Sequence, residues 1–173
     1  MTVRPVVIDL GWADLGEWGR LELTGASSAL LRLTHCEDLE FRGEPAETLT
    51  SDDIFLNETL GRLILLPRVG ATIARFDLSY GVRSAPDLTL SRDPDPGLRT
   101  SGVKVINGLG LVYRSEGNLI MFDEQGDVVW HVSADFEGWG IAQVSDTTVT
   151  LVSTEWPPSG KQQTRSLATG QRV

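Results

Sequence analysis

Glu116-Gly117-Asn118-Leu119-Ile120-Met121-Phe122-Asp123-Glu124-Gln125-Gly126-Asp127-Val128-Val129-Trp130 is the stretch that decides the fold. Two runs of strand-forming residues flank an Asp-x-x-Gly turn, whose glycine supplies the positive φ that a tight hairpin requires. The same grammar returns at Phe76-Asp77 with Gly81, and at Leu167-Ala168-Thr169-Gly170. The turn glycines Gly81, Gly126 and Gly170 are spaced 126 − 81 = 45 and 170 − 126 = 44 residues apart. A period of roughly 40–45 residues is long enough for one small four-stranded sheet per repeat.

Working outward, strands are expected over residues 102–106, 111–114 and 118–123 before Gly126, and over 127–132 after it. Residues 62–69 and 72–77 precede Gly81, while 139–144, 147–154 and 162–167 precede Gly170. The stretch 86–96 is a loop, because Pro94 and Pro96 deny the chain both ladder donors and helix. Nearer the N-terminus, residues 3–10 form an expected strand. Residues 20–24 alternate, with Leu21 and Leu23 on one face and Arg20, Glu22 and Thr24 on the other. Residues 28–34 fit either a strand or one short helix, and Glu44-Pro45-Ala46-Glu47 is the other place for a helical turn. The expectation is a single β-repeat domain over 1–173, with units near 1–45, 46–92, 98–135 and 136–173.

The segment from Glu116 to Trp130 resembles a blade of the quinoprotein-type (PQQ-like) β-propellers. Gly117, Leu119, Asp123, Gly126 and Trp130 match that repeat, and Leu167-Ala168-Thr169-Gly170 matches its turn again. The resemblance implies an all-β fold of antiparallel blade-like sheets in a small or incomplete β-propeller, with a β-sandwich as the alternative. It also implies that Trp130 is a wedge between neighbouring sheets. It carries no quinone chemistry to this chain, and no cofactor is expected.

The net charge is −9, and 37–58 is its centre. Glu37, Asp38, Glu40, Glu44, Glu47, Asp52, Asp53 and Glu58 stand there against Arg42 alone, which gives 1 − 8 = −7. Such a block repels a phosphate backbone, so no nucleic-acid partner is expected. The run Leu63–Leu66 ends at Pro67 and is too short to cross a bilayer, so no membrane partner is expected either. A single cysteine, Cys36, forms no internal disulfide framework, and the N-terminal residues lack the apolar centre of a secretion signal. The expected setting is cytoplasmic. The thirteen arginines against Lys104 and Lys161 fit a GC-rich bacterial source.

Catalytic chemistry finds little support in the residues. His35-Cys36 is adjacent and lacks zinc spacing, and His131 is the remaining histidine. Asp93, Asp95 and Gly97 lack the later ligands of a calcium loop and read as a proline-stiffened linker. No metal site, cofactor site or catalytic residue is expected. The working expectation is a protein-binding module for a basic partner, possessing no enzymatic activity, of the immunity or antitoxin kind. Its contact residues would be the aromatic loop bearing Trp12 and Trp18 together with Glu37, Asp38, Glu40, Glu44, Glu47, Asp52 and Asp53. Two rival classes stand beside it. One is a self-associating homo-oligomeric unit that completes a larger ring. The other is a small carbohydrate-active domain, with Asp135 and Glu137 beside Trp139.

Overall fold

The computed structural model describes residues 3–43, 46, 49, 54–66, 73–84, 102–106 (backbone only), 110–115 and 117–173. The chain divides into two compact units, Met1–Thr89 and Leu90–Val173. In the first unit, β1 (Val3–Pro5) precedes a sheet built in chain order from β2 (Trp12–Asp14), β3 (Gly19–Gly25), β4 (Ser28–Leu33) and β5 (Leu39–Arg42). A single 3-10 turn, Gly16–Trp18, joins β2 to β3. A second sheet follows, from β6 (Ile54–Asn57), β7 (Arg62–Leu65), β8 (Ala74–Asp77) and β9 (Val82–Ser84). β1 crosses over the first sheet and pairs antiparallel with β6, aligning Val3 with Asn57.

In the second unit, β10 (Gly102–Ile106), β11 (Gly110–Arg114), β12 (Asn118–Phe122) and β13 (Val128–Ser133) form the third sheet. The fourth holds β14 (Trp139–Val144), β15 (Thr148–Ser153) and β16 (Gln162–Ser166). Beyond β16, Arg172 makes one isolated bridge to Arg165 where a further strand would run. Among the described residues, all strand pairings in both units are antiparallel. The fold is therefore all-β, made of antiparallel blade-like sheets. Residues 28–33, ambiguous between strand and helix in sequence, form β4, because β3 and β5 pair with both its edges.

Alternation explains the cores. Leu21, Ala29, Leu31, Leu33 and Phe41 of the first sheet meet Ile54, Leu56, Leu63, Leu65, Ala74 and Phe76 of the second. Phe41 and Phe76 stack with centroids 4.7 Å apart and a 43° tilt. In the second unit, Val112, Leu119, Met121 and Trp130 meet Val149, Leu151 and Leu167 around Phe136. β11 and β12 are buried at every residue, which is why they read as continuous apolar runs.

Gly81, Gly126 and Gly170 follow β8, β12 and β16, which are the third strands counted from β6, β10 and β14. Their φ angles are 62°, 80° and 70°. Each turn is opened by a side-chain oxygen that captures backbone N–H groups. Asp77 Oδ1 accepts from Ser79, Asp123 Oδ1 from Gln125 and Asp127, and Ser166 Oγ from Ala168. Asn57 does the same for Thr59 and Leu60 ahead of Gly61, a fourth copy of the turn that the 45-residue period does not mark.

Trp130 joins the two sheets of its unit. Its indole N–H donates to the Leu167 carbonyl at 2.6 Å. Its ring lies so close to Gly170 that a Cβ there would stand 2.7 Å from it. The glycine thus serves both the turn and the seat of the indole.

Candidate functional site

The first sheet is buried on one face only. Register places Trp12 opposite Glu22, Glu22 opposite Leu30 and Leu30 opposite Glu40, so these four form one row across all the strands of the outer face. Asp14, Arg20 and Arg32 form the adjoining row, in which β5 does not take part. With neighbouring strands about 4.8 Å apart, Trp12 and Glu40 lie roughly 14 Å from each other. Residues distant in sequence are thereby collected on one surface.

The charges on this face are largely matched. Glu22 binds Arg20 at 2.5 Å and Arg32 at 3.0 Å, Arg32 reaches Asp38 at 3.3 Å, and Arg42 binds Glu40 at 2.7 Å. The hydrogen bond to Glu22, its charge and that of Asp38 push the Arg32 guanidinium above its ordinary range. Asp38 also accepts the Leu33 backbone N–H at 3.0 Å, which fixes the turn between β4 and β5. Exposed ion pairs add little to stability, so this network shapes the surface more than it holds the fold.

The tip beside Trp12 is unusual. Asp9 and Trp12 exchange backbone hydrogen bonds of 2.8 Å and 3.1 Å around a two-residue turn, Leu10-Gly11. Leu10 has φ 49° and Gly11 φ 85°. Positive φ at both central positions defines a turn that asparagine, aspartate or glycine normally fills. A leucine there costs about 1–2 kcal/mol. Leu10 is 93% exposed and Trp12 48% exposed, with Val7 also exposed nearby in sequence. The sequence holds only a faint signal of this tip, a Leu-Gly pair between residues that turn out to bond each other.

The remaining expected contact residues are divided by the structure. Trp18 is half-buried and turned inward: its indole donates to the Glu58 carbonyl at 2.7 Å, its ring packs on Gly61, and His35 meets its edge at 5.7 Å. Glu37 is exposed after β4. Glu44, Glu47, Asp52 and Asp53 lie outside the described residues, as do Asp93, Asp95 and Gly97. Trp139 packs against the core of its unit, while Asp135 holds the Glu137 backbone N–H at 2.9 Å.

Among the described residues, no three His, Cys, Asp or Glu side chains are grouped to hold a metal ion. No described helix is long and apolar enough to cross a membrane. Cys36 donates to the Leu78 carbonyl at 3.5 Å. His131 bonds Asn118 Oδ1 at 2.9 Å, and burial lowers its pKa from the usual value. The unfolded chain then binds a proton more readily than the folded one, so stability falls as pH drops through the ordinary histidine range near 6.5 towards the lower folded value. Urea unfolding of wild type at pH 7.5 and 5.5 should show this loss, and His131→Gln should shrink the difference.

No protein-family model matches the chain, and no curated protein matches it. Among solved structures, the chain is similar to Hsv2 of Kluyveromyces marxianus, with 15% identity, a TM-score of 0.42, and coverage of 92% of this chain and 51% of that one. It is similar also to Hsv2 of Kluyveromyces lactis, with 11% identity, a TM-score of 0.43, and coverage of 92% and 54%. These neighbours are β-propellers, and the chain spans about half their length.

Proposed function

We propose that this chain is a non-enzymatic protein-recognition module whose contact surface is the outer face of the first sheet together with the Leu10 tip. The observation that carries the reading is Leu10, held at positive φ and 93% exposed beside a half-exposed Trp12. Strain combined with apolar exposure stabilises nothing in the free molecule, and such features concentrate at ligand-contacting sites. An aromatic anchor flanked by charged pairs is a common composition for an interface centre and rim.

The partner is a basic protein, a choice supported by the net charge of −9 and by exposed Asp9, Asp14, Glu17 and Glu37 around the face. In its specific form the role is that of an immunity protein masking a basic partner in the cytoplasm. The sheets are of the quinoprotein repeat type in this reading, supported by the Asp123 turn and by Trp130 closing the third sheet.

Affinity capture from the native cell, run in parallel with wild type, Trp12→Ala and Leu10→Asn, tests the proposal. A basic protein should be retained by wild type and lost with both variants, and its association rate should fall as salt is added. Leu10→Asn suits the turn and should fold at least as well as wild type, so lost capture would report the surface. Equal capture by all three would overturn the assignment.

A further inference from the structure

The turns after β12, β14 and β16 surround a cleft of about 610 Å³ in the second unit. Met121, Val129 and Leu167 give it an apolar lining, and Asp123, Glu124 and Asp146 contribute carboxylates. Val129 is placed there by a bulge. Met121 pairs with Trp130 and Phe122 with Val128, which leaves Val129 as the extra residue, 49% exposed. Bulges of this kind re-aim a side chain and are over-represented beside binding sites. Asp123 is held in place by accepting two turn N–H groups at 2.9 Å, both through Oδ1. No lysine or arginine is among the described residues that line the cleft.

The volume falls within the roughly 300–1,000 Å³ typical of small-molecule sites. An anion would be repelled by Asp123 and Asp146, and a neutral molecule would leave their field unused. We propose that this cleft binds a small organic cation, an ammonium or guanidinium carried on an aliphatic or aromatic body. The body lies on Met121, Val129 and Leu167, and the cation faces Asp123 and Asp146. The site is separate from the protein-binding reading and does not depend on it.

Calorimetric titration with 2-phenylethylamine, its neutral counterpart 2-phenylethanol and a capped arginyl-phenylalanine amide tests the proposal. The amine should bind about tenfold more tightly than the alcohol, an advantage that narrows as salt rises. Asp146→Asn should weaken amine binding about fivefold while leaving the alcohol unchanged, because one partly exposed charge is removed. Val129→Arg, which tethers a cation in the cleft, should block the amine without lowering the melting temperature. Equal affinity for amine and alcohol, no binding of either at millimolar concentration, or indifference to Asp146→Asn would overturn the proposal. Binding of the capped peptide without the free amine would overturn it in favour of a protein segment.

Discussion

Trp130→Ala should destabilise the second unit by about 3–5 kcal/mol, the usual cost of removing a large buried aromatic side chain. The indole is 9% exposed and belongs to the core shared by the third and fourth sheets. Truncation would empty the space against Gly170 and leave the Leu167 carbonyl without its donor. Trp130→Phe keeps much of the volume and loses the hydrogen bond with part of the ring, so a smaller cost of about 1–3 kcal/mol is expected. Urea unfolding followed by far-ultraviolet circular dichroism would separate the two. Equal midpoints for wild type and Trp130→Ala would show that the indole does not join the sheets.

A second large effect is expected from Gly110→Ala. The residue has φ 116°, and a Cβ there would stand 1.9 Å from the Phe122 carbonyl oxygen and 2.7 Å from the Asp123 carbonyl carbon. Both obstacles are backbone, so no rotamer relieves the overlap, and β11 must part from β12. The combined strain should exceed about 3 kcal/mol. Gly19 repeats the arrangement in the first unit, with φ 121° and a Cβ 1.9 Å from the Arg32 carbonyl oxygen. Each glycine opens the second strand of a four-stranded sheet and passes close to the end of the third. They are 110 − 19 = 91 residues apart, close to twice the turn period. Both alanine variants should express poorly or melt far below wild type, and native-like melting of either would contradict this backbone approach.

Much of the architecture was legible because turn chemistry and alternation are local. Asp123 and Gly126 specify their turn within a few residues, and Leu21 and Leu23 opposite Glu22 already separate two faces. What could not be read depends on register. Glu22, Arg32 and Asp38 come together only when β3 and β4 align, so a charge count along 37–58 overlooked Arg32, which matches Asp38. Trp12 and Trp18 looked alike in sequence, yet the 3-10 turn between β2 and β3 sends Trp18 onto Gly61 and leaves Trp12 outside. The Leu10 tip escaped notice because leucine is the wrong residue for its turn. The cleft escaped because its lining comes from three separate turns.

The crossover of β1 to β6 also affects how the protein is made. Val3 waits for Asn57, 57 − 3 = 54 residues later, and the closure brings a long loop together. At ribosomal speeds of about 5–20 residues per second, that interval lasts roughly 3–11 s, while the intervening sheet can already form. β1 is thus left unpaired until the whole of the first sheet has been made. Until then, its own edges are open to any passing chain with a strand to offer.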